Sequence, residues 1–454
     1  MTHWAYDAMF YHIYPLGLCG APTHNNFNAA PQPRLQQIYE WIDHVRYLGL
    51  NALYMGPVFE SSTHGYDTVD YFQVDRRLGD NELLADMIAT CHRQGIRVIL
   101  DGVFNHVGRD FWAFRDVQEH GQNSRYCDWF DGLHFGERSP LNDPFTYTSW
   151  NGHYELVKLN LQHPAVKEHI FQAVAMWIRE FDIDGLRLDA ADVMDLSFLS
   201  EFATFCHSLR TDFWLMGEVI HGEYRQWVNP TTLDSVTNYE CYKGLYSSHV
   251  DKNYFELAYA FNRQFGDGGI YEQMPLYAFT DNHDVNRVAS NLTNQSHLYP
   301  LYALLFTMPG VPSLYYGSEW GITGAKTNGS DAPLRPPLYL AAAWQHSPQP
   351  DLAQTIARLS QIRRQSEALR HGTYQQLLVD HEQFAYARQT PNECVIVAVN
   401  AADTVVSLKL PVPTNNGQQL VDLLNPPDTF PICNGQVTVD TLHPHWARIL
   451  MVQS

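Results

Sequence analysis

The sequence contains no CxxC pair, no apolar run approaching the ~18 residues of a membrane helix, and no basic segment followed by an apolar one at its N-terminus. Neither a membrane span nor a secretory leader is expected. Its seven cysteines (Cys19, Cys91, Cys127, Cys206, Cys241, Cys394, Cys433) are scattered and odd in number, which fits buried thiols in a reducing compartment better than a disulfide framework or a zinc site. The cytoplasm is the expected location. Positive charge is also scarce: 29 Lys and Arg stand against 49 Asp and Glu, a formal net charge of −20. Such a surface repels phosphate backbones and anionic lipid, so neither nucleic acid nor a membrane is an expected partner. A neutral or cationic small molecule is left. Repeats and low-complexity stretches are absent too, and 45% apolar with 17% charged residues suits a packed core. At 454 residues the chain calls for more than one unit, since single domains seldom exceed ~250 to 300 residues.

What is present is an alternation of short apolar runs with amphipathic stretches. "MFYHIYPL" (9–16) reads as a strand, 34–49 as a helix ended by Gly49, and "NALYMGPV" (51–58) as the next strand. The rhythm continues with a helix at 81–94, "IRVILDGVF" (96–104), a helix at 165–180 and "IDGLRLD" (183–189). Further strands are predicted at 213–218, 235–240, 276–281 and 311–317. Eight strands with intervening helices predict an α/β fold, a (β/α)8 TIM barrel over residues 1–107 and 154–371. Residues 108–153, aromatic and rich in Gly and Asp, are expected to form an inserted domain after the third strand, because so long a connection is usually functional. From 372 to 454, β-branched runs with Asn, Pro and Gly turns predict a C-terminal antiparallel β-sandwich.

Barrel enzymes carry their chemistry at the C-terminal ends of the strands. Four predicted ends are charged: "DGVFNH" (Asp101, Asn105, His106), "GLRLDAADV" (Arg187, Asp189), "GE" (Glu218) and "FTDNHD" (His283, Asp284). Any one of these acids is as well explained by an ion pair closing the barrel mouth. Four charged ends together point to a reaction. Asp189 and Glu218 are the kind of pair a retaining glycosidase uses, one carboxylate attacking the anomeric carbon and the other, protonated, donating to the leaving oxygen at ~5 to 5.5 Å separation. Arg187, two residues before Asp189, lies on the same face of the strand and is expected to hold Asp189 ionised. Glu218, among other carboxylates, is expected to have its pKa raised.

These four stretches, in this order, resemble the signature regions of the α-amylase family of glycoside hydrolases (family 13), and the resemblance covers nearly the whole chain. It implies a covalent glycosyl-enzyme mechanism with Asp189 as nucleophile, Glu218 as general acid/base and Asp284 as the third carboxylate. It further implies that His106, Arg187 and His283 contact the sugar, and that Tyr66 stacks on it with Asp67 beside, in "STHGYDTVDY". Asp331 and Arg335 of "GSDAPLR" would close the adjoining subsite, with Asp101 supporting the site from below. "LVKLN" (156–160) is similar to a motif of the cyclomaltodextrinase, neopullulanase and maltogenic amylase branch, which implies cyclodextrins and short maltodextrins as oligosaccharide substrates.

Hydrolysis of α-1,4-glucosidic bonds is therefore the leading expectation, with 4-α-glucanotransferase activity on the same substrates as the alternative and a non-catalytic sugar-binding protein as a third. No cofactor is required by this chemistry. Asn105 matches a family calcium ligand, and its side chain is equally suited to hydrogen-bonding the insert to the barrel. Members of the branch commonly carry an extra N-terminal domain that builds a dimer, whereas here the first strand is expected almost at Met1, so monomer and homodimer both stay open. "AADV" after Asp189 lacks both the Lys-His and the Asn-Glu of relatives, and leaving-group binding is expected to differ there.

Overall fold

The computed structural model describes residues 3–327, 329–414 and 418–453. Eight parallel strands form the central sheet: β1 (Phe10–Ile13), β2 (Ala52–Met55), β3 (Arg97–Gly102), β4 (Gly185–Leu188), β5 (Trp214–Gly217), β6 (Ser235–Val236), β7 (Tyr277–Phe279) and β8 (Val311–Tyr315). Neighbours pair in the order β6-β5-β4-β3-β2-β1-β8-β7, and a parallel bridge from Thr237 to Tyr277 joins the two ends into a closed barrel. Nearly every strand residue is buried on both faces, as expected of parallel strands wrapped by helices.

Register decides what fills the barrel. Phe10, Ala52, Tyr54, Ile99, Trp214, Met216, Tyr277, Phe279 and Val311 form one inner apolar cluster, with the Phe10 and Trp214 rings stacked at 5.2 Å. Above it the inward positions turn polar. His12 pairs in register with Tyr54, and Asp101 with Arg187, so the side chains that carry charge stand at the C-terminal rim while the floor below stays dry.

The helices outside follow the expected 3.6-residue pattern. In Asn81–Arg93, Asp80 caps the start by accepting from the Leu83 N–H, and Leu84, Met87, Ile88 and Cys91 face the barrel. The helix expected at 165–180 opens with Pro164 and runs to Met176, then widens into a π turn, Trp177–Phe181. There the Trp177 indole donates to the Tyr71 carbonyl at 2.8 Å. The sixth predicted strand is shorter than its β-branched residues suggest. The strand is only Ser235–Val236, followed by the single bridging residue Thr237, because the Asn238 side chain accepts from the Cys241 N–H and starts a helix at Tyr239. No described helix is long and apolar enough to cross a membrane.

The connection after β3 begins with a strand, His106–Gly108, paired with His153–Lys158, which in turn pairs with Ser149–Trp150. From Thr373 the chain is an eight-stranded antiparallel unit. Its alternation serves two cores at once: Phe384, Tyr386, Val395 and Val397 pack on the barrel helices, while Ala385, Ala387, Ile396 and Ala398 fill the sandwich. Two buried arginines clasp this junction with no carboxylate partner among the described residues. Arg363 donates to the Phe306, Met308 and Gly310 carbonyls, and Arg388 to those of Thr307, Leu369 and Gly372, at 2.6 to 3.1 Å. They satisfy carbonyls left open at the end of the helix Leu298–Thr307 and, through Leu369 and Gly372, at the end of the helix Glu367–His371. Burial pushes Arg363 down to about 9 and Arg388 to about 10.

Arg388→Ala would strand several buried carbonyls, and a loss of roughly 3 kcal/mol or more is expected in equilibrium urea unfolding. Arg388→Lys should recover little of it, because one ammonium cannot reproduce the planar fork.

Candidate active site

The site grows from the register of β4 and β5. Leu188 lies beside Gly217, so the next residues, Asp189 and Glu218, leave adjacent strand ends together. The backbone N–H of Glu218 donates to the Leu188 carbonyl at 2.9 Å, and that of Asp189 to the Gly102 carbonyl at 3.1 Å. Both acids are almost closed off, with 7% and 8% of their surface exposed. Arg187 is shared among three carboxylates. Its Nη1 donates to Asp101 Oδ1 and Asp189 Oδ1, each at 2.9 Å, and its Nη2 lies 2.8 Å from Glu218 Oε2.

That sharing changes the expected electrostatics. Burial pushes Asp189 well above the usual carboxylate range, with Glu218 and Asp101 adding to the rise and Arg187 opposing it. Glu218 is raised as well, by burial and by Asp284, against the same arginine. One guanidinium is thus divided among three carboxylates, and the rise at Asp189 runs against the ionisation that the sequence reading expected Arg187 to secure there. Asp284 goes the other way: despite its desolvation, His283 and Arg335 hold its carboxyl well below the usual range. Its Oδ2 lies 2.9 Å from His283 Nε2 and its Oδ1 accepts from Arg335 at 2.8 Å.

The remaining expected residues gather around this cluster. The Tyr66 hydroxyl donates to Asp101 Oδ2 at 2.9 Å and also contacts His283 Nε2, and the two rings stack at 5.4 Å. Asp67 is buried and spends its oxygens on its own turn, accepting from Thr63 Oγ1 and the Gly65 N–H. It is fixed there by Gly108, where a Cβ would come within 2.5 Å of the Asp67 carbonyl oxygen. His106 Nε2 is 3.8 Å from Asp189 Oδ2, and burial pushes this imidazole down to about 3, so it is neutral. Arg335 reaches Asp331 at 3.2 Å, with Lys326 on the other Asp331 oxygen at 2.9 Å.

Asn105 carries one mark of a ligand, a buried Oδ1 with no hydrogen-bond partner, while its Nδ2 contacts His106 Nδ1 at 3.2 Å. Among the described residues no group of three or more His, Cys, Asp or Glu could hold a metal.

Several contributors were missed from sequence. Ala190, the first residue of "AADV", adopts φ 50°, a left-handed conformation that costs a non-glycine residue energy, and its N–H donates to Glu218 Oε2 at 3.1 Å. Tyr54 donates to Asp101 Oδ2 at 2.8 Å, and His12 lies beneath His283 with ring centroids 5.1 Å apart. By register His12 and Tyr54 lie level with Ile99, two residues below Asp101 and Arg187, so counting inward positions round the barrel would have found them. Nothing local marked Ala190.

Comparison with known proteins bears on this geometry. Residues 24–355 match the family model described as alpha amylase, catalytic domain, and residues 374–449 that described as maltogenic amylase, C-terminal domain. A cyclomaltodextrinase of Geobacillus thermopakistaniensis is 32% identical over 93% of this chain and 73% of its own length. A solved cyclomaltodextrinase superposes with a TM-score of 0.85 at 29% identity, over 99% of this chain and 78% of that one. The cyclic alpha-maltosyl-(1→6)-maltose hydrolase from Arthrobacter globiformis gives 0.81 at 27% identity, covering 99% and 100%.

Removing the shared cation gives a test with a sign. Because Asp189 and Glu218 are raised above their unfolded values, their protonated forms favour the fold at low pH and that contribution is lost as pH rises through the folded pKa values. Arg187→Ala should therefore destabilise by about 3–5 kcal/mol near neutrality. The deficit relative to the parent, followed as Tm across pH, should shrink as pH falls and the carboxyls take up protons.

Proposed function

The chain belongs to the α-amylase family of glycoside hydrolases, and on that premise we propose that it is a retaining hydrolase of α-1,4-glucosidic bonds in maltodextrins and cyclodextrins. The observation that carries this reading is the pairing of Asp189 and Glu218 at register-matched ends of adjacent strands, bridged by one guanidinium. Adjacent strands lie ~4.8 Å apart, close to the ~5 to 5.5 Å of a double-displacement pair and short of the gap an inverting water needs.

In the first step the ionised Asp189 attacks the anomeric carbon while Glu218 gives its proton to the departing glycosidic oxygen. The bond to that oxygen breaks as the ester to Asp189 forms. In the second, Glu218 takes a proton from water, whose oxygen attacks the same carbon and frees Asp189. Burial and Asp284 raise Glu218, which suits the residue that donates the proton. The Ala190 N–H on Glu218 Oε2 supports proton delivery from Oε1, and Arg187 balances the charge that returns to Asp189. Asp284, kept ionised by His283 and Arg335, is suited to accept sugar hydroxyls. Buried thiols at Cys19, Cys91, Cys206, Cys241 and Cys394 fit a cytoplasmic enzyme.

One observation favours transfer to a sugar as a second reading. Val193 and Ile220, on the loops that follow Asp189 and Glu218, are 52% and 42% exposed. An apolar wall there would favour a sugar acceptor over water.

Incubation with maltoheptaose and β-cyclodextrin should release shorter oligosaccharides whose first-formed anomer, followed by NMR, is α. Products longer than the substrate would favour transfer, and no change in either substrate would overturn both readings. Glu218→Gln should lower turnover of maltoheptaose by about 10²–10⁴-fold. Its loss should be far smaller in the first step with α-maltosyl fluoride, whose leaving group needs no proton.

A further inference from the structure

We propose that Trp150 is a sugar-binding residue, presented by a rigid hairpin of the inserted segment so that its ring takes the face of a glucosyl unit next to the one held at Asp189 and Glu218. The hairpin is written in "SWNGHY". Asn151 at φ 48° and Gly152 at φ 82° are both left-handed, the requirement of a two-residue type I′ turn, for which Asn-Gly is the preferred pair. Trp150 and His153 face each other across this turn, and their rings stack at 5.8 Å with 23° between planes. The Trp150 ring also lies 5.7 Å from that of His106, tilted 38° to it and not stacked, and His106 Nε2 is 3.8 Å from the nucleophile candidate.

Packing does not account for this residue. Trp41, Trp177, Trp214 and Trp320 are fully buried, whereas Trp150 is half-buried and belongs to none of the three apolar cores among the described residues. A half-exposed indole held in place by two imidazoles and a tight turn has little freedom left to lose on binding. A pyranose offers an apolar C–H face ringed by hydroxyls, the match for an indole face with its polar edge. Beyond Trp150, His153 lines a polar cavity of about 510 Å³ shared with His64, Asp67, Arg109 and Glu155. A glucan passing over the indole would continue into it.

The inference rests on the proposed glucan-cleaving function, and binding separates the two. Calorimetric affinity for maltoheptaose, measured in the Glu218→Gln background so that the ligand is not cleaved, should fall about tenfold in Trp150→Ala, the value of one lost stacking ring, and Trp150→Phe should recover most of it. In turnover, Trp150→Ala should raise KM for maltoheptaose by a similar factor with kcat within about twofold, while 4-nitrophenyl α-glucoside, too short to reach the indole, keeps its kcat/KM. Unchanged affinity for maltoheptaose, or an equal kcat loss on both substrates, would overturn the role. A parent enzyme that binds maltoheptaose but cleaves nothing would refute the function alone, since the binding comparison still decides Trp150. If Trp150→Ala does not fold, Trp150→Thr, which suits a strand, serves the same comparison.

Discussion

The site depends on one guanidinium. Arg187 reaches Asp101, Asp189 and Glu218, which come from the ends of three successive barrel strands. Without it, three nearly closed-off carboxylates would face one another in a medium that screens them poorly. With it they remain together on one positive charge, and burial raises both Asp189 and Glu218 against the pull of that charge. Asp284 stands apart electrostatically because it has its own cation in Arg335 and its own imidazole in His283.

Holding such a cluster requires a support that does not move, and the barrel supplies it by layering. The lower interior is filled with aromatic and aliphatic side chains, Phe10 on Trp214 among them, which gives the ion pairs an apolar floor. Closure through Thr237 and Tyr277 brings β7 and β8 round to the side facing β4, which carries Asp284 and Arg335 into the same mouth as Asp189. The inserted segment completes the wall, leaning on the Tyr66–Asp67 turn through a position, Gly108, where no side chain would fit. The C-terminal sheet packs one face on the barrel helices, and Arg363 and Arg388 close the seam by donating to carbonyls that would otherwise be buried unsatisfied.

Much of this was legible in the chain because the signals are local. Strands such as "IRVILDG" are short apolar runs bounded by turn residues, and the helix at 81–93 has its cap, period and ending in sequence. Where the reading slipped, a non-local or single-residue effect intervened. "SVTNYE" has strand-forming residues throughout, but Asn238 uses its side chain to start a helix. The π turn at Trp177 accompanies a hydrogen bond to Tyr71, a partner 106 residues away. His12 and Tyr54 were overlooked since nothing local in "FYHI" or "ALYM" shows that these register partners face the barrel interior beneath the charged residues.

The sequence by itself determined the alternation of strands and helices, the long insert, the β-rich end and the charged residues at strand ends, because periodicity and composition act within a few residues of each other. It named the acids. Only the tertiary structure decided how their charge is divided: that Arg187 serves three carboxylates instead of one, that Ala190 is held left-handed with its N–H on Glu218, and that a Trp–His hairpin stands over His106. Those depend on distances between strands and loops far apart in the chain, and electrostatic coupling varies with separation in space, to which position in the sequence is indifferent.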